Sequence, residues 1–312
     1  MTNKLPSAIT KAATAQTWYT IRFLADRPRI DDAYRAYAYF RWVDDILDAP
    51  ISTARLDGDE RVVRLRFLAH QQELLDACIR GDKAAVVDPH EAMLVELVRN
   101  ADASDERLEA YLRHMMLVMD FDARRRGRLI SAQELDAYTR WLAIAVTEAM
   151  HYFIGHDSGA PRDETRYLAV SGAHVVHMLR DTYADVRAGY FNVPREFLEA
   201  SSIGPDDVRC DAYRAWVKER VELGRAYLDA GKGYFRRVES RRHRLAGMAY
   251  IARFEWLLDA LERDNFTVRE AYPQRGVVTA VRMGRSVLSS LTPRRPSGRS
   301  PIAAPSTRDG RR

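Results

Sequence analysis

The chain is poor in the residues that build cross-linked or turn-rich folds. Its 312 residues include only 2 cysteines, Cys78 and Cys210, in unrelated contexts and without metal-ligand spacing. That excludes a disulfide framework and a cysteine-based zinc site, and it suits incidental thiols in a reducing compartment. With 16 Gly and 12 Pro, the composition argues against a β fold rich in turns. No apolar run approaches the roughly 18 residues a membrane-spanning helix needs. Met1 to Thr20 has no apolar core of the signal-peptide type, so a cytoplasmic protein is expected. No glycine-rich phosphate loop follows a strand, no dinucleotide fingerprint is seen, and no internal repeat is found.

What is present is helical periodicity. Hydrophobic residues make up 46% of the chain, enough for a sizeable core. They recur at helical spacing over Val62 to Ile79, Ala92 to Val98, Leu108 to Met119, Leu135 to Phe153, Tyr213 to Tyr234 and Leu245 to Leu261. Helix starts are signalled at Ser104, followed by Asp105 and Glu106, and at Ser131 with Glu134 three residues on, a capping-box pattern. The expectation is an all-α protein.

Two copies of one acidic pattern stand out: Asp44-Asp45-Ile46-Leu47-Asp48 and Asp181-Thr182-Tyr183-Ala184-Asp185. In each, aspartates four residues apart share a helix face about 5–6 Å apart, which costs an isolated helix roughly 0.2–0.5 kcal/mol. Hard divalent cations would offset that cost, because magnesium takes oxygen ligands and bridges carboxylates to phosphates. On the first helix Tyr37, Arg41, Asp44 and Asp48 fall on one stripe; on the second, His174, His177, Asp181 and Asp185 do. Each run also sets an arginine, Arg41 or Arg180, beside its acids, suited to gripping phosphate oxygens. Acidic helix surfaces laced with ion pairs would give the same letters, but two such runs in apolar context favour a diphosphate site.

Tyr39-Phe40-Arg41-Trp42-Val43-Asp44-Asp45-Ile46-Leu47-Asp48 resembles the first aspartate motif of the squalene/phytoene synthases, the head-to-head prenyl synthases. Leu179 to Gly189, followed by Val193-Pro194, resembles the second motif and its loop. Weaker echoes are Met119-Asp120, Glu134-Leu135 with Tyr138, and Leu261 to Phe266, so the likeness runs from about Thr17 to about Tyr272. It implies a single helical isoprenoid-synthase domain around a central cavity, over residues 1–275. Asp44, Asp48, Asp181 and Asp185 would hold Mg2+, with Mn2+ or another divalent ion as a substitute, and Arg41 and Arg180 would contact the diphosphate. The implied activity is ionisation of an allylic prenyl diphosphate and its 1′-1 condensation with a second. No organic cofactor is assigned. Asp45 and Tyr37 are further candidates for the site, although Tyr37 suits core packing equally well.

Departures from the family pattern bear on the outcome. His174 and His177 replace a glutamine and an asparagine. With Asp181 they could ligate a softer metal; alternatively, the imidazoles only hydrogen-bond phosphate or water. After Tyr138, Ile144 and Thr147 stand where glycines are expected, which should narrow or reroute the cavity, and Phe254 replaces a tyrosine. Tyr190 replaces an arginine, and Asn192-Val193-Pro194 stands for Tyr-Leu-Pro. Two alternatives therefore stay open: a relative that cyclises one prenyl diphosphate or prenylates another acceptor, and a non-catalytic membrane-associated assembly factor.

Charge is concentrated at the end. From Pro273 to Arg312 nine arginines face only Asp309, while the whole chain is +5. Residues 276–291 form a basic amphipathic segment with Val277, Val281, Leu288 and Leu291 on one face, and 292–312 an Arg/Ser/Pro-rich tail expected to be disordered. The segment is either a last core helix or a peripheral contact to an anionic membrane. The arginines are not interleaved with stacking aromatics, so nucleic acid is not expected as a partner.

Overall fold

The computed structural model describes residues 4–49, 60–83, 85–102 and 105–272. Residues 276–312, and with them the basic segment and the tail, lie outside that set, as does Ser104. The described residues contain eleven α-helices and no strand, as the periodicity predicts. They are α1 (Lys4–Ala13), α2 (Ala15–Leu24), α3 (Ile30–Asp48), α4 (Glu60–Arg80), α5 (Glu91–Arg99) and α6 (Glu106–Arg125). There follow α7 (Ala132–Phe153), α8 (Leu168–Ala188), α9 (Arg195–Ser201), α10 (Asp211–Arg237) and α11 (Arg241–Arg263). No described helix is long and apolar enough to cross a membrane.

Local chemistry sets the helix ends. The predicted box forms at α7: the Ser131 hydroxyl accepts from Glu134 N–H while the Glu134 carboxylate accepts from Ser131 N–H. At α6 the cap is Asp105, whose carboxylate accepts from Arg107 N–H. An aspartate in place of the predicted serine meets the same free donors and suits the positive helix end better.

Two apolar clusters fill the interior. One is built by α3 to α7, with Tyr39, Leu68, Leu94 and Leu112 essentially inaccessible. The other joins α8, α10 and α11 around Leu179, Leu228, Tyr234 and Phe235. α7 packs on both α6 and α8, so it stands between the clusters. α8 and α10 lie so close that a Cβ on Gly231 would come within 2.7 Å of the Ala169 Cα, so only glycine fits there.

One junction fixes the ends of α6 and α8. α8 terminates on Gly189 in the left-handed region, at φ 83°. The Gly189 carbonyl accepts from Gly127 N–H at 2.8 Å, and Arg128 pairs with Tyr190 as an isolated parallel bridge. The last turn of α6 is thereby held against the last turn of α8.

Candidate active site

α3 and α8 bring their aspartates to one polar cavity of about 270 Å³. Asp44 and Asp48 line it from α3, Asp181 and Asp185 from α8, and His174, His177, Tyr138, Tyr190 and Asn192 complete much of the wall. A pattern repeated more than 130 positions apart in the chain is thus two walls of one chamber.

The α3 wall is organised by Arg41, which lies 3.3 Å from Asp44 and also bonds Asp45. Asp45 is exposed and does not line the cavity; its contact is with Arg41. On α8, Arg180 grips its own neighbour Asp181 with two bonds of 2.7 and 2.6 Å. Asp185 accepts from Asn192 at 2.7 Å, and Asp48 accepts from Tyr190 at 3.5 Å.

A third helix, α6, adds to the site two residues that lie outside both aspartate motifs. Asp122 and Arg125 of α6 line the same cavity. Arg125 donates to Asp122 at 2.6 Å and to Asn192 at 2.8 Å, and Tyr138 donates to Asp122 at 2.8 Å. The buried Arg125 is boxed by Tyr138 and Tyr190, 4.8 and 5.0 Å from its guanidinium. Asp120, the expected echo, instead points outward to an ion pair with Arg124 at 2.7 Å. The signal was there: Met115, Met119 and Asp122 recur at i, i+4 and i+7 and all line cavity walls.

The carboxylates repel one another. Burial, then the neighbouring Asp48, pushes Asp44 up to about 6. Burial, then Asp181, pushes Asp185 up to about 7, although Arg125 and Asn192 pull the other way. Asp122 is raised too, mainly by burial. Half-buried carboxylates from two helices that resist ionisation in one another's company are a donor set suited to a hard cation. Among the described residues, no three His, Cys, Asp or Glu side chains are gathered so as to hold a metal by themselves. His174, His177 and Asp181 therefore form no ready-made softer-metal site. A cation here would need oxygens from elsewhere, as magnesium bound to a phosphorylated substrate has.

The histidines are neutral wall elements. Burial holds both down to about 3. His174 contacts Thr139 Oγ1 at 3.2 Å and packs edge-on to Tyr138, whereas His177 packs on Phe254 with its Nε2 buried and unpartnered. Phe254 is buried behind His177 and lines neither this cavity nor its apolar neighbour. On α11, the Arg253 guanidinium lies over the Phe254 ring, 5.7 Å from its centroid, and its charge is felt at Tyr37, His177 and Asp181. It makes no ion pair among the described residues.

Beyond Asp44, Met119 and Leu142, which border both spaces, lies an apolar chamber of about 410 Å³. Tyr37, Phe40, Tyr111, Val146, Met150 and Phe153 are among its walls, and Arg41 stands at the polar end. Ile144 is not one of them; it borders a separate polar cleft with Arg107 and Glu148 on the other side of α7. The expectation that Ile144 narrows the prenyl cavity is corrected by helical phase. Tyr138, Leu142 and Val146 repeat every four residues toward the cavities, and Ile144 sits about 200° away from Leu142. Thr147 is buried with an unpartnered hydroxyl and lines neither cavity.

The squalene/phytoene synthase family model matches residues 11–283. The fold is similar to squalene synthase HpnC from Alicyclobacillus acidocaldarius, at 20% identity and a TM-score of 0.64, covering 85% of this chain and 95% of that one. It is similar also to a dehydrosqualene synthase in complex with ligand, at 12% identity and a TM-score of 0.66, covering 91% and 93%. The sequence matches no curated protein. With both aspartate motifs facing one cavity and the family model spanning nearly all the described residues, the chain belongs to the squalene/phytoene synthase family of prenyltransferases that act on prenyl diphosphates.

Proposed function

We propose that this enzyme ionises an allylic prenyl diphosphate with Mg2+ and condenses it 1′-1 with a second prenyl diphosphate. The observation that carries the reading is the juxtaposition of a four-aspartate polar cavity with an apolar, aromatic-walled chamber across Asp44, Met119 and Leu142.

Asp44, Asp48, Asp181 and Asp185 hold the cation together with the diphosphate. Bound magnesium supplies charge that stabilises the departing diphosphate. Arg41 and Arg180 are shared between carboxylates and the incoming phosphate oxygens. Arg253, in no ion pair among the described residues but close enough to Asp181 to feel its charge, is a further cation for the same anion. The C1–O bond breaks with its electron pair leaving on oxygen, and the allylic cation forms where the polar cavity meets the chamber. Tyr37, Phe40 and Tyr111 present rings along that chamber, which stabilise a cation without offering it a nucleophile. The second substrate's double bond then attacks. Loss of a proton gives a cyclopropylcarbinyl diphosphate, the precursor of a C30 or C40 hydrocarbon.

A second reading, cyclisation or transfer to another acceptor, is favoured by one observation. His174 and His177 put two neutral imidazoles into the cavity wall, where they could accept a proton from a cation formed on a single chain. One experiment separates the readings: incubation with magnesium and geranyl, farnesyl or geranylgeranyl diphosphate, measuring pyrophosphate and extracted products. Pyrophosphate with a C30 or C40 product supports condensation; pyrophosphate with only monomer-length products supports the second reading. Absence of pyrophosphate with any substrate, with manganese as well, overturns both in favour of a non-catalytic role.

A further inference from the structure

The outer face of α2 is apolar and cationic. Tyr19 is 54% and Phe23 69% exposed, their rings stacked at a centroid distance of 6.1 Å, and Leu5 on α1 is 51% exposed. Arg22, between the two rings in sequence, and Lys11 are exposed as well. From residue 4 to residue 25 there is no Asp or Glu at all, against Lys4, Lys11 and Arg22. The next acid, Asp26, is tied to Arg242 at 2.5 Å. Exposed aromatics on a carboxylate-free basic helix pair do not suit an ordinary solvated surface.

The inner face of the same helix borders the apolar chamber. Thr17, Thr20 and Ile21 of α2, with Ala25 just beyond it, line the apolar chamber. A single helix thus separates the chamber from the exposed aromatic patch. Aromatic rings at the headgroup level and cations on anionic headgroups are how a surface helix seats on a bilayer.

We propose that α1 and α2 form a lipid-docking face that seats on an anionic bilayer. Tyr19, Phe23 and Leu5 enter the headgroup–acyl boundary, and Lys11 and Arg22 meet lipid phosphates. On the reading proposed above, this docking lets an apolar product leave past Thr17, Thr20 and Ile21 into lipid, without crossing water.

The test uses the full chain and vesicles of phosphatidylcholine with and without phosphatidylglycerol. Wild type is expected to sediment with the anionic vesicles only, and the double variant Tyr19→Ser/Phe23→Ser to bind at least tenfold more weakly. Vesicles with brominated acyl chains should quench Trp18, read as the quenching lost in Trp18→Phe. Undiminished vesicle binding by the double variant, with no Trp18 quenching, would assign binding to the basic C-terminal segment and overturn the proposal. A concentration-dependent dimer abolished by the same substitutions, without vesicle binding, would make the patch a self-association surface and overturn it equally. Pyrophosphate release in detergent separates this proposal from the catalytic one. Vesicle binding without release leaves docking standing and the reaction wrong; release without vesicle binding does the reverse.

Discussion

Burial and a neighbouring acid oppose the ionisation of Asp44 and of Asp185, one carboxylate on each wall of the site. Asp185 ionises only near pH 7 because burial and Asp181 oppose its charge. Its folded-state value lies above the unfolded one near ~4, so the carboxyl contributes stability at low pH and loses it as pH rises through about 7. Asp185→Asn keeps the acceptor for Asn192 and removes the charge. We expect pyrophosphate release to fall by about 100-fold or more, while Tm at alkaline pH rises by a few degrees, because the buried charge and its repulsion by Asp181 are gone. A melt and an activity assay on the same sample check both, and lowered stability would contradict the repulsion argument. Arg253→Gln is expected to raise KM for the diphosphate substrate with a smaller change in kcat, measured by steady-state kinetics. An unchanged KM would remove Arg253 from the anion site. The aspartate pairs were legible in the sequence because four-residue spacing is a local, helical fact. The nearness of Arg253 to His177 and Asp181 was not, because it depends on how α11 packs against α8.

At the element scale the phase of each helix decides what faces the chamber. On α7, Leu142 and Val146 face it, while Ile144 faces the polar cleft. Val146→Phe should therefore shorten the accepted prenyl chain, and Ile144→Ala should leave product length unchanged; gas chromatography of extracted products distinguishes them. Reversal of those two outcomes would refute the assigned phase. The α8–α10 contact is equally specific. Gly231→Ala drives a methyl into the backbone of Ala169, and overpacking of this kind costs about 1–3 kcal/mol, visible as a Tm lowered by several degrees. Helix positions were legible because long amphipathic stretches carry their own period. Which side of α6 or α7 turns inward was harder to read, since Asp120 and Asp122, or Ile144 and Val146, differ only in which neighbour covers them.

At the scale of the whole molecule, buried neutral histidines set the acid limit. Burial is the first cause that holds His151 to about 2, His174 and His177 to about 3, and His243 to about 4. Unfolded imidazoles take a proton near ~6.5. Between about 6.5 and 4 the unfolded chain therefore binds protons that the folded one refuses, and stability falls as pH falls. Each histidine contributes up to about 1.4 kcal/mol per pH unit in that window. Asp44 and Asp185 act in the opposite sense, protonating in the folded state first, near 6 and 7, so the net uptake on unfolding is smaller than four protons. Urea midpoints are expected to drop between about pH 7 and pH 5. A flat profile there would mean that the imidazoles charge within the fold.

The helical class, most helix positions, the capping box at Ser131 and the two acidic faces are all legible along the chain. These follow from spacing along one chain, where residues three or four apart must be neighbours on a helix. Helix packing settles what spacing leaves open: that Asp122 and Arg125 join the site, that the Leu142–Val146 side of α7 faces the chamber, and that α2 lies between the chamber and an exposed aromatic surface. Those facts depend on how helices distant in sequence are rotated against one another. That rotation is set by close contacts such as Gly127 on Gly189 and Gly231 on Ala169, which no local pattern encodes.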